Sequence, residues 1–365
     1  MVRGNGFAHD PAKLFAFVQQ NIDATRWKKR TPCSKGQLNN DALIRLLYAI
    51  SMSRTLLGSV VLSLALLSTA MAADAPGAKP RSMAEILAAS TRTDWRPLDP
   101  ENTLYLELPG GRVVIELAPE FAPHHVANVK TLAREHYYDG LAVVRCQDNY
   151  VVQLADPNAE KPELARKIHN GKRTLSAEFD RPIDASRPFT RLPDGDIYAP
   201  EVGFSDGFPV ARDPKSGRMW LVHCYGMVGA GRDTPPDSGG GTELYAVIGH
   251  APRQLDRNVT LLGRVVQGME LLSALPRGTG PLGFYEKAEQ RLPITSIRVA
   301  ADVPASERTN IEVMRTDTAI FRELIESRRN RPEEWFHYQA GRIELCNVPI
   351  PSRRSLPTEE SIKGR

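Results

Sequence analysis

From Thr103 the chain alternates. Leu104, Leu106 and Leu108 interleave with Tyr105 and Glu107; after Pro109-Gly110-Gly111, Val113, Ile115 and Leu117 interleave with Val114 and Glu116. A period of two on both sides of a Pro-Gly turn predicts a β-hairpin with one buried face. Pro123 then stands where a first helical turn tolerates it. Val126, Val129 and Leu132 follow at intervals of three before Asp139-Gly140, which predicts a helix over about 123–135. Short apolar runs recur at 141–146, 150–155, 219–224, 244–248, 261–266 and 294–299. Many short strands with few helices point to an antiparallel barrel or sandwich. Met269, Leu272 and Leu275 keep helical spacing and suggest a second helix covering an open end.

Outside this pattern lie three further segments. Met83 to Ser90 could form a short helix after a Pro- and Gly-containing lead-in. The Pro-, Asp- and Gly-rich stretch 156–218 is too long for a plain connection, so it is either a functional excursion or an added lobe. Beyond Ala300, residues Ile311, Met314, Phe321, Leu324 and Ile325 are read as one face of a helix opened by Thr309-x-x-Glu312 and closed before Pro332. Arg328, Arg329 and Arg331 at its end are expected to be solvated helix-terminal charge.

The N-terminal region changes the picture of where the protein works. From Met52, a positive Arg54 precedes an apolar run over 56–67, and Ala70-Met71-Ala72 places small residues where a signal peptidase reads them. Residues 52–72 are therefore expected to be a signal peptide cleaved after Ala72, with 1–51 an over-extended gene start and the remainder exported to the periplasm. The alternative is an uncleaved inner-membrane anchor, since the uncharged stretch 56–73 just reaches the spanning threshold of about 18 residues. Its Ser, Thr and Gly content argues against that.

Composition removes other classes. In 365 residues, 41% hydrophobic and 25% charged content is ordinary globular usage and excludes a multispanning membrane protein. The formal charge is +4, but residues 1–72 hold nine Lys or Arg against three Asp, so the body of the chain carries −2. A nucleic-acid partner loses its support. After the apolar run only Cys146, Cys224 and Cys346 remain. An odd count leaves one free thiol, and no Cys/His spacing resembles a zinc or redox site. His124 and His125 are adjacent on a helix and point in different directions, so they are read as surface or capping residues rather than metal ligands. Gly239-Gly240-Gly241 lacks the Lys-Ser/Thr of a phosphate loop and is read as a flexible rim loop.

The stretch from Tyr138-Asp139-Gly140 through Val143-Val144-Arg145 to Tyr150-Val151-Val152-Gln153 and Asp156 resembles the catalytic segment of cyclophilin-type peptidyl-prolyl isomerases, whose pattern is Y-x-G, F-H-R-V, then F-M-x-Q-G-G-D. The hairpin and helix before it, Gly239 to Tyr245, and Leu255-Asp256 through Gly263 to Met269 follow in that family's order, so the resemblance covers roughly Thr103 to Val299. It implies a mostly β, eight-stranded antiparallel barrel capped by two helices, here with a long loop insertion and a helical C-terminal appendage. It also implies isomerisation of X-Pro bonds in proline-containing polypeptides by a monomer, with no metal or small-molecule cofactor. Arg145 falls on the family's catalytic arginine, Gln153 on its substrate-positioning glutamine, and Tyr150, Val151, Tyr245 and Leu255 on proline-pocket positions. Without the resemblance Tyr150 and Tyr245 read equally well as core or rim aromatics. Val143-Val144, Leu154-Ala155, Glu243, Gln254 and Val259 depart from the pattern. The changed pocket keeps a second class of function in play, a cyclophilin-like chaperone or proline-segment binding module with weak catalysis.

Overall fold

The computed structural model describes residues 80–355, so the apolar stretch at 56–67 and the basic segment before it lie outside the described residues. The chain enters through α1 (Met83–Ala89), opened by a capping box between Ser82 and Glu85, and then β1 (Trp95–Pro97). The alternating segment forms β2 (Thr103–Leu108) and β3 (Gly111–Leu117), paired from Thr103↔Glu116 to Leu108↔Gly111 around a two-residue turn. Next come α2 (Pro123–Arg134), β4 (Ala142–Cys146) and β5 (Val151–Ala155). After the insertion, β11 (Met227–Ala230), β12 (Leu244–Val247), β13 (Leu261–Gln267) and α3 (Met269–Ser273) lead to β14 (Leu292–Pro293) and β15 (Ser296–Val299).

These strands form one antiparallel sheet in the order β14-β4-β5-β12-β11-β13-β3-β2-β15. Its two ends are the same piece of chain. Leu292 and Pro293 pair with Val143 and Ala142, Ile294 N donates to Leu141 O, and Ser296 onward pairs with β2 from Glu107. Counting 292–299 once, eight strands close a barrel, which leaves no open edge. Leu104, Leu106, Val113, Ile115, Val152, Leu154, Leu244 and Ala246 fill its interior, with Val126, Val129 and Leu132 of α2 and Leu272 of α3 packed against them.

The hairpin is not one-faced. Tyr105 and Val114, on the side expected to meet solvent, are buried against Ala300, Ile311 and Val313 of the C-terminal extension. Met219 to Cys224 also differs from its reading as a barrel strand. It supplies β10 (Arg218–Leu221) to a separate five-stranded antiparallel sheet with β6 (Arg181–Pro182), β7 (Thr190–Leu192), β8 (Glu201–Ser205) and β9 (Phe208–Asp213). The insertion is therefore an added lobe rather than a loop. Its Val202, Phe204 and Val210 share a second apolar core with Ile86 and with Phe321, Leu324 and Ile325. Gly239 to Gly241 is pinned rather than loose: Asn128 Nδ2 donates to Gly240 O at 2.6 Å and the Tyr138 hydroxyl to Gly241 O at 2.6 Å. His125 belongs to the same clasp. It is buried, with Nδ1 2.7 Å from Glu178 Oε2 and Nε2 3.2 Å from Gly239 O, so the surface reading fails for it.

The C-terminal segment corrects a period. Ile311 to Met314 is not helical but forms β16 (Ile311–Met314), between β1 and β17 (Ser352–Arg354). Ile311 and Val313 alternate and are β-branched, and two partner strands satisfy their backbone groups. The helix, α4 (Ala319–Arg329), begins at Thr318, whose hydroxyl accepts from Phe321 N at 3.3 Å. Thr318→Ala is expected to lower unfolding free energy by about 1 kcal/mol in urea titration, and Thr309→Ala should lack that helix-capping loss. Arg329 is buried, not solvated: its Nε and Nη2 lie 2.8 and 2.5 Å from the two carboxylate oxygens of Asp194 in the lobe. That fork holds the Asp194 carboxyl below its usual range. Among the described residues no helix is long and apolar enough to cross a membrane.

Candidate active site

Strand alternation by itself would put Arg145 inside the barrel. Val143 faces the interior, and two residues further along a regular strand the same face returns. The β4–β5 register shifts between Val143↔Leu154 and Arg145↔Gln153, leaving Val144 as an extra residue. This bulge turns Arg145 to the outer surface beside Gln153 and returns Cys146 to the interior.

The guanidinium is then held from three directions. Its Nη1 donates to Gln153 Oε1 at 3.1 Å, its Nε to Leu282 O at 2.7 Å, and its Nη2 to Gln147 Oε1. Two rings flank it, Tyr150 at 5.6 Å and Phe284 at 5.4 Å from the guanidinium carbon to the ring centre. Leu282 and Phe284 arrive on a loop that runs along β4, with Tyr285 N donating to Val144 O at 3.0 Å. Gly283 permits that approach: φ is +77° and a Cβ would lie 2.5 Å from the Gln147 Cα. Burial lowers the Arg145 pKa from its ordinary value, opposed by Tyr150; the same burial pushes the Tyr150 phenol up, opposed by Arg145. Gln153 in turn donates through Nε2 to Glu243 Oε2 at 2.7 Å.

The remaining expected residues extend outward from this cluster. Tyr245 pairs with Gln153 and Val247 with Val151 across β12 and β5, so Val151, Gln153 and Tyr245 share the outer face. Val151 and Tyr245 are only 3% and 6% exposed, lying in the second apolar core with Val259 and Tyr150 on its margin. The Tyr245 ring lies against Gly229, where a Cβ would be 2.4 Å from it. Its hydroxyl is 2.8 Å from Nε2 of His223, a residue with no exposed surface, and His223 Nδ1 is 2.9 Å from Asp256 Oδ1. The imidazole thus bridges the Asp256 carboxylate and the Tyr245 hydroxyl. Leu255 is half-buried in the turn that supplies Asp256.

The structure thus brings Arg145, Gln153 and Tyr150 together and places Val151 and Tyr245 beside them under cover, whereas Leu255 stands in the turn before Asp256. The sequence reading missed Gln147, His223, Asp256, Leu282 and Phe284 as neighbours of the site. Gln147 had a signal, since it follows Arg145 by two positions. The others carried none: Leu282 is 137 residues away from Arg145 in sequence and His223 sits within an ordinary apolar run. Among the described residues no group of three or more His, Cys, Asp or Glu could hold a metal ion.

The chain is similar to known proteins. The family model for cyclophilin type peptidyl-prolyl cis-trans isomerases matches residues 103–299, the span of the closed barrel. A Brucella suis protein named "probable peptidyl-prolyl cis-trans isomerase" is 28% identical over 187 residues, 50% of this chain and 74% of that one. Human peptidyl-prolyl cis-trans isomerase-like 1 is 24% identical over 220 residues, covering 60% of this chain and 99% of the relative. The crystal structure of the cyclophilin AquaCyp293 from Hirschia baltica superposes with a TM-score of 0.58 at 27% identity, over 75% of this chain and 97% of that one. That coverage is wider than the barrel alone. With the barrel closed and the family's segment forming its outer face, the chain belongs to the cyclophilin-type peptidyl-prolyl cis-trans isomerases.

Proposed function

We propose that this isomerase acts on X-Pro bonds of exported proteins as they fold in the periplasm, with Arg145 as its catalytic residue and Gln153 positioning the substrate. The observation that carries the assignment of Arg145 is its guanidinium, oriented by Gln153, Gln147 and the Leu282 carbonyl between two aromatic rings on the barrel's outer face. Rotation about a peptide bond meets a barrier of ~18–20 kcal/mol because the nitrogen lone pair is delocalised into the carbonyl. The prolyl nitrogen carries no hydrogen, so an N–H donor can approach it as the bond twists and the lone pair localises. Among the described residues three of the guanidinium's N–H groups are engaged within the chain, and those left over are the donors for that nitrogen. A donor fixed in advance and partly desolvated favours the twisted state over either planar one. Rotation makes and breaks no covalent bond, so the residues alone suffice. Tyr150, Val151, Tyr245 and Leu255 would seat the proline ring. Two features support the exported setting: the signal-like stretch over 52–72, and a disulfide between Cys224 and Cys346, a bond that persists in oxidising compartments.

The test is exchange-detected cis/trans isomerisation of a short Ala-Pro peptide by the purified protein beside Arg145→Ala. The protein is expected to accelerate exchange, and the variant to lose tenfold or more of kcat/KM, about 1.4 kcal/mol in barrier. A variant as active as the parent would remove Arg145 from the mechanism. The second reading, a module that holds proline segments with little catalysis, draws on the burial of Val151 and Tyr245. It predicts peptide binding with no acceleration on several X-Pro sequences.

A further inference from the structure

Glu243 ends a hydrogen-bond chain that starts at the arginine. Arg145 Nη1 donates to Gln153 Oε1 at 3.1 Å, and Gln153 Nε2 donates to Glu243 Oε2 at 2.7 Å. A guanidinium only donates and an ionised carboxylate only accepts, so one orientation of the Gln153 amide serves both neighbours. Once Glu243 takes up a proton it also presents a donor, and that discrimination is lost. We propose that Glu243 is a positioning residue whose ionised form holds Gln153, and through it Arg145, in working geometry, so that isomerase activity falls when Glu243 is protonated. The inference rests on the assignment of Arg145 and Gln153 to the active site.

The surroundings favour such a device. Glu243 precedes β12 and faces Gly231, where a Cβ would stand 3.0 Å from the Glu243 Cβ and 3.4 Å from Gln153 Nε2, so no side chain comes between. Burial pushes the Glu243 carboxyl above its ordinary range; the Gln153 hydrogen bond opposes this, the charges of Asp233 and Glu160 add to it, and Arg173 opposes it. Tyr137, whose phenol is raised to about 12 by burial, also senses Glu243 and stays neutral throughout the acid range. Where the family pattern carries Gly-Ser-Gln, this chain carries Gly241-Thr242-Glu243. An amide there presents a donor as well as an acceptor, as the protonated carboxyl does, and does not titrate.

The experiment is the pH profile of kcat/KM, by peptide exchange, for the full chain, Glu243→Gln, Glu243→Leu and Arg145→Ala. The parent is expected to lose activity on an acid limb displaced above the ordinary carboxylate range, because the ionised form exists only above the raised pKa. Glu243→Gln, which presents a donor at every pH as the protonated carboxyl does, is expected to show at neutral pH the reduced activity of the parent's acid form, with the acid limb removed, and Glu243→Leu, which has no acceptor, to lose tenfold or more. A raised folded pKa means that the protonated form contributes stability, lost as pH rises through that value, so Glu243→Gln should melt no lower than the parent at neutral pH. If Glu243→Leu does not fold, the Glu243→Gln profile decides alone. Superimposed parent and Glu243→Gln profiles with an inactive Arg145→Ala overturn the role of Glu243 only. An active Arg145→Ala overturns the site assignment and this proposal with it.

Discussion

Replacing Cys224 and Cys346 together by serine is expected to cost about 4 kcal/mol of unfolding free energy, near the upper end of what a native disulfide contributes. The bond closes a loop of 122 residues, from the strand-to-strand turn beside His223 to the short turn Leu345–Asn347. In the chain-entropy account the stabilisation grows with the logarithm of that loop, because the cross-link removes open conformations from the unfolded ensemble. The folded contacts of the extension remain: Phe321, Leu324, Ile325 and Leu345 stay in the second core. The variant should therefore fold, with a lower urea midpoint at low temperature. A loss below about 1 kcal/mol would mean that the unfolded chain is already restricted without the bond.

Arg253→Met is expected to cost roughly 3–5 kcal/mol, because it strands two buried carboxylates. The Arg253 guanidinium takes both oxygens of Asp196 at 2.7 and 3.0 Å, and its Nε donates to Asp256 Oδ2 at 2.6 Å. All three side chains are almost fully buried. Burial works against the arginine's charge, but the Asp196 hydrogen bonds and the Asp256 charge outweigh it and hold its pKa up. Asp256 also holds His223, so the loss reaches the Tyr245 hydroxyl. Arg253→Lys restores charge but not the fork and should fall between the two. An Arg253→Met protein as stable as its parent at neutral pH would show that the three groups form no coupled network.

Periodicity served well for the faces that meet the barrel interior. The Leu104 to Leu117 hairpin, the α2 stripe Val126, Val129 and Leu132, and Leu272 all face the barrel interior that their spacing called for. It served poorly where two surfaces compete. Tyr105 and Val114 are covered because β16, some 200 residues later, packs outside them, and Ile311 becomes a strand because β1 and β17 flank it. Met227 to Ala230 was overlooked because four residues buried on both faces show no alternation. Of the site, the Arg145 to Gln153 motif was legible because its members are close in sequence.

The sequence by itself determined seven of the barrel's eight strands and the helices α2 and α3, since local alternation and short spacing encode them, and the resemblance of the Arg145 to Gln153 segment singled out those two residues. Tertiary structure alone decided that the bulge at Val144 turns Arg145 outward and that Leu282 and Phe284 meet it. It also decided that Cys224 bonds Cys346 rather than Cys146, and that Asp196, Arg253, Asp256 and His223 line up beneath Tyr245. These contacts join residues far apart in the chain, and each exists because burying one polar group obliges the fold to bring it a partner.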